Sequence, residues 1–195
     1  MVISNKCCTF ALVWAQAAHA VNLSLTARNW LVGYYIVEFE QHGEDRAKYG
    51  EKLINRLAES INRKGFEPRR LREYRQIYIV YPLLGIEVAK YIKSNHALLS
   101  ESEDSSIWRL SSAKLEALDN QEIEKWRMPS AKLEAWCTPS ERLFNRLNYS
   151  CLLLLSGIND PLKRAFYEQE AIRGCWTVTE LDRQVSSQYY ERMGL

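Results

Sequence analysis

From about Thr9 to Gln41 the chain carries no proline and a single glycine, Gly33, and its apolar positions fall on two sides of a helical projection. At 100° per residue Val21, Leu25, Val32 and Phe39 share one side, while Leu23, Trp30 and Val37 lie roughly opposite. A helix apolar on two sides sits between layers or in a subunit interface. The stretch therefore predicts a central helix, with a break near Asn22 left open, and the side over 21–41 is an expected homodimer surface. Gly33 would let a neighbouring helix approach closely.

Gln41-His42-Gly43-Glu44-Asp45 reads as a loop, and Arg46 to Asn62 as a second helix with Tyr49, Leu53, Ile54, Leu57 and Ile61 as its apolar stripe. Gly65-Phe66-Glu67-Pro68 then reads as a turn that stops one helix and starts the next, because glycine tolerates the left-handed conformation and proline suits a first helical turn. In the following helix Leu71, Tyr74, Tyr78 and Tyr81 share one face. Arg69, Arg72 and Gln76 share the other, with Arg75 at its margin. Pro82 ends that helix, and Ile86 to Lys93 suggests a short further one.

Ser100 to Ser106 has linker composition, and Ser-Ala-Lys-Leu-Glu-Ala occurs at 112–117 and again at 130–135. Two copies are too few for a solenoid and read as a local duplication inside a connector. Thr138-Pro139-Ser140-Glu141 is a capping-box pattern that should launch one helix through Leu143, Leu147 and Leu152 to Leu155. Asp160-Pro161 caps a helix to about Arg173. Thr177-Val178-Thr179-Glu180 starts a last one with stripe Val178, Leu181, Val185 and Tyr189. No clear strand alternation stands against this, so the chain is expected to be all-α, a multi-helix domain containing helix-turn-helix-like units. Its expected parts are 1–82 with the helix-turn-helix-like pair, an acidic connector over 83–137, and three C-terminal helices over 138–195 packing on the first part.

Charge changes the picture at one place. The 195 residues sum to +2, yet Arg63 to Arg75 holds six bases against two acids, so the remainder of the chain sums to −2. Helix, turn, helix with a guanidinium-lined outer face suits a DNA major groove. Lys64, Arg69, Arg70, Arg72, Arg75 and Gln76 are the candidate DNA-binding residues. A solvated surface helix carries the same pattern, so it names candidates and not yet a function.

Other chemistry is sparse. Cys7, Cys8, Cys137, Cys151 and Cys175 contain no CxxC and read as buried thiols of a reducing cytosol. His19, His42 and His96 lack metal-ligand spacing. There is no phosphate-cradling glycine loop and no nucleophile elbow, and neither catalytic residues nor metal nor cofactor is expected. Lys6, the apolar run Cys7 to Ala15 and Ala18-His19-Ala20 imitate a secretory signal, but the apolar register continues beyond the apparent cut. No run is long enough for a membrane span, and a cytoplasmic protein is expected.

Taken in order, several pieces carry a resemblance. They are Val21-Asn22, Trp30, Gly33, Ile36 to Gln41, Gly43 to Gly50, Gly65-Phe66, Leu71, Arg75 to Tyr78, Asp160 to Tyr167, Trp176 to Leu181 and Tyr190-Glu191-Arg192. Together the chain resembles the N-terminal domain of the YhcG-type family. That resemblance implies a helical DNA-binding domain, often joined to a C-terminal PD-(D/E)XK nuclease domain, and DNA and a separate nuclease domain or subunit as partners. One stretch departs: Leu147-Asn148-Tyr149-Ser150-Cys151 stands where the family tends to have Leu-Ser-Trp-Ser-His. Such nuclease sites place an acid two residues before a lysine, around a metal-bound water. No lysine here has one. The expectation is the binding half alone, without catalysis. The alternative is an interaction or oligomerisation module that positions a nuclease.

Overall fold

The computed structural model describes residues 2–41, 48–95 and 138–194, and every regular element among them is an α-helix. The first part contains α1 (Val2–Gln41), α2 (Lys48–Ile61), α3 (Pro68–Val80) and α4 (Leu84–Asn95). The second contains α5 (Ser140–Arg146), α6 (Tyr149–Ser156), α7 (Pro161–Arg173), α8 (Val178–Ser186) and α9 (Tyr189–Arg192). Residues 42–47 and 96–137 lie outside the described residues, and with them most of the expected 41–45 loop, most of the expected 83–137 connector and both hexamer copies; the start of that connector is α4. No helix among the described residues is long and apolar enough to cross a membrane.

The spine is the pair α1 and α3. Trp30 is fully buried, stacks on Tyr34 at 5.9 Å, meets Tyr78 edge-on at 5.2 Å, and donates its indole N–H to the Tyr81 carbonyl at 2.9 Å. Leu84, Leu143, Phe144, Leu152 and Leu155 complete the same core, so both parts share one interior. On the other side of α1, Ile36 and Val32 pack with Ile54 and Leu57 of α2 and with Leu71 and Tyr74 of α3. The two-sided pattern thus holds over residues 26–38, and the Phe39 side chain lies outside the described residues. Val21 and Leu25, expected on a covered side, are exposed.

Several expectations need correction. α1 passes Asn22 without a break, because the Asn22 side chain bonds outside its own helix: Oδ1 accepts from the Tyr149 N–H at 3.1 Å and Nδ2 donates to the Leu147 carbonyl. The single helix expected over 138–157 is two, since Leu147 is extended and Asn148 caps α6 by accepting from the Cys151 N–H at 2.8 Å. Thr138 does not cap α5. It is buried one residue before Pro139, which holds the N-cap position. Gln188, left-handed at φ 55°, separates α8 from α9, so Tyr189 leaves the α8 stripe. Five helices therefore follow Thr138 among the described residues where three were expected. Cys151 is buried as expected, whereas Cys175 is exposed. The caps at Asp160 and Thr177 stand as read.

Candidate nucleic-acid interface

α2 stops one residue earlier than the sequence pattern suggests. Asn62 takes the left-handed conformation (φ 41°), and Gly65 (φ 95°) takes it again before Pro68 opens α3. Six residues, 62–67, therefore join the two helices, a wider turn than the three or four of a tight helix-turn-helix. It is held from within. The Tyr74 hydroxyl donates to the Gly65 carbonyl at 2.7 Å, and Glu67 Oε1 accepts from the Gly65 N–H at 3.0 Å. That backbone bond holds the Glu67 carboxyl below its ordinary range, with Arg70 and Lys64 adding to the effect.

On α3 the inner face is Leu71, Tyr74, Ile77 and Tyr78, all buried. The outer face carries the candidates. Arg69 is exposed, its side chain 89% accessible, and its Nε reaches Glu73 at 3.2 Å. Arg70 reaches the other Glu73 oxygen at 3.0 Å. One carboxylate thus partly neutralises two of the guanidiniums. Lys64 and Arg72 are exposed and Arg75 is half-buried. Gln76 is placed differently: its side-chain NH2 donates to the Ser156 carbonyl at 3.3 Å, so it ties α3 to the end of α6.

Two residues beyond those candidates adjoin the same surface. Arg28 of α1 lies with its guanidinium 5.8 Å from the centre of the Phe66 ring, beside the 62–67 turn, and is steadied by two bonds to Asn29 Oδ1. Tyr149 of α6 packs edge-on against Tyr74 at 6.0 Å, and its buried hydroxyl has no hydrogen-bond partner. Burial raises its pKa above the ordinary tyrosine range; Tyr74 and Glu73 add to this, and Arg70 and Arg28 oppose it. Arg28 is the lone charge between Lys6 and Glu38, and that isolation was a sequence signal for it. Tyr149 had none.

A pocket of about 360 Å³ has Leu83, Leu143, Ala165 and Glu168 among its lining residues. Glu168 is 5% exposed, accepts from the Tyr81 hydroxyl at 2.8 Å and faces Arg164 at 3.8 Å. It reads as a satisfied interior carboxyl. Among the described residues no three His, Cys, Asp or Glu side chains gather as metal ligands.

Comparison with known proteins follows the same lines. The family described as the DUF1016 N-terminal domain matches residues 11–139. A relative from Escherichia coli (strain K12), named "Putative nuclease YhcG", is 32% identical over 180 residues, which is 91% of this chain and 42% of that protein. The chain therefore spans less than half the length of that relative. No solved structure matches it.

Proposed function

The chain is a DUF1016 N-terminal domain of the YhcG-type family, and from that premise we propose that it is a DNA-binding helical domain. In this proposal it holds duplex DNA for nuclease chemistry carried outside this chain. One observation carries the reading: Lys64, Arg69, Arg70 and Arg72, joined by Arg28 from α1, collect around the 62–67 turn in a chain whose total charge is only +2. Cations gathered from two elements onto a braced turn are what phosphate recognition needs, since they neutralise the backbone without reading sequence. Gln76, engaged with α6, braces the face. Base reading falls to Arg69 and Arg72.

The chemistry of cutting is assigned elsewhere, because no lysine of this chain has an acid two residues before it. The test is a mobility-shift titration of duplex and single-stranded DNA at two salt concentrations. Duplex binding that weakens steeply with salt is expected. Absence of binding at low salt would remove the proposal.

A further inference from the structure

The N-terminal half of α1 leaves the body of the protein. Residues 11–21 are exposed at every position, and Trp14 is 73%, Val21 58% and Leu25 40% accessible. Residues 7–27 contain no Asp, Glu, Lys or Arg. An uncharged, aromatic-bearing helix surface of this length is not left to water in a soluble protein, because apolar patches of that size mark contact surfaces.

Its spacing identifies what covers it. Ala11, Trp14, Ala18, Val21 and Leu25 follow one another at intervals of three, four, three and four, which keeps them on one seam of a helix pair. The seam continues a face already in use: at 100° per residue it runs on into Val32 and Ile36, which α2 covers within the chain. Beyond Thr26 towards the N-terminus that cover ends and the seam stays bare.

We propose that this segment pairs antiparallel with the same segment of a second copy of the chain, centred on residue 16. Around that centre each position meets the one whose number makes 32 with it. Trp14 meets Ala18 and Val21 meets Ala11, so between Ala11 and Val21 a large side chain faces a small one at both steps. The two alanines give the room that a tryptophan and a valine fill, and an isologous pair needs such self-complementarity. The lack of charge over 7–27 means that two identical segments meet without like-charge repulsion. In a parallel pair Trp14 would face Trp14 and Ala18 would face Ala18, and the fit would be lost. The self-paired seam from Ala11 to Val21 is about 15 Å long at 1.5 Å per residue. The contact is centred twelve residues from Arg28 and does not rest on DNA binding.

The test uses the full 195-residue chain and reads mass in solution by sedimentation or light scattering. The wild type is expected at twice the chain mass. Trp14→Lys and Ala18→Glu, each at an exposed position, should each raise the dissociation constant by about 100-fold or more and give monomers. An equimolar mixture of the two variants should return to dimer, because the introduced lysine of one chain then meets the introduced glutamate of the other while the second pair stays native. That rescue also shows that both variants fold. A monomeric wild type, or a dimer unaffected by Trp14→Lys, overturns the pairing and assigns the surface to another protein. Failure of the mixture to re-associate overturns the antiparallel register.

Discussion

Gly33 of α1 lies directly against the Tyr74 carbonyl of α3, with no room between them for a methyl group. A Cβ built on Gly33 would fall inside the van der Waals envelope of the Tyr74 carbonyl oxygen, 2.7 Å from its carbon and 3.1 Å from Tyr78 Cβ. The obstacle is mostly backbone, which cannot swing aside as a side chain can. Gly33→Ala is therefore expected to cost about 1–3 kcal/mol or more by overpacking. Urea unfolding checks it, and a variant as stable as the wild type would mean that the helices separate without penalty.

Trp30 supplies the opposite kind of test. It is fully buried, and its ring lies against Gly85, where an added Cβ would come within 2.7 Å of it. Trp30→Ala should cost about 3–5 kcal/mol through the cavity it leaves. The Tyr81 carbonyl would also lose its indole donor. Trp30→Phe weighs that second loss more nearly alone, because it fills most of the volume and leaves the carbonyl with only the Leu84 N–H as donor. An intermediate stability for Trp30→Phe in denaturant titration is the expected order, and equality with the wild type would show that the bond contributes nothing.

Periodicity and punctuation made much of this fold legible. The caps at Asp160 and Thr177 open helices where they were read, because their causes are local. What stayed illegible depends on contacts between distant residues. Asn22 looks like a helix breaker in its own neighbourhood, and the 143–155 stretch looks continuous in its own. The side chain of Asn22 meets the break at Leu147 and Tyr149 from more than a hundred residues away. The candidate interface divides in the same way. Its arginine run is plain, and Glu73 stands three and four residues after Arg70 and Arg69, the spacing at which helix side chains pair. The approach of Arg28 to Phe66 depends on how α1 crosses the turn, which no local pattern records.

Glu168 makes stability depend on pH. Burial raises its carboxyl pKa above the ordinary range, although Tyr81 and Arg164 oppose the shift. A raised folded pKa means that the folded state binds its proton more tightly than the unfolded one. The stabilising contribution is then complete below the unfolded value and lost as pH rises through the folded one. Glu168→Gln keeps an acceptor for the Tyr81 hydroxyl and removes the titration. Relative to the wild type, the variant should gain thermal stability as pH rises from about 4 to 7. A stability difference that does not change with pH would show that the carboxylate is charged in the fold without penalty.

Glu73 separates a DNA-reading face from a merely solvated one, because substitutions on the two sides of its ion pairs should act in opposite directions. It holds Arg69 and Arg70 and places one negative charge amid the cations. Glu73→Gln releases both guanidiniums and removes that charge. Duplex affinity should rise, and the slope of log affinity against log salt should steepen by up to about 0.9 for each further phosphate that the freed arginines neutralise. Arg69→Ala with Arg72→Ala should do the reverse, flattening the slope by about 0.9 for each phosphate no longer neutralised. Neither change should move the unfolding midpoint much, since pairs formed by such exposed arginines are worth about 0–1 kcal/mol. A face that is only solvated leaves affinity and slope unchanged in both variants. In that event the reader is sought on α8 and α9, where Arg183 and Arg192 are exposed but have acids close by.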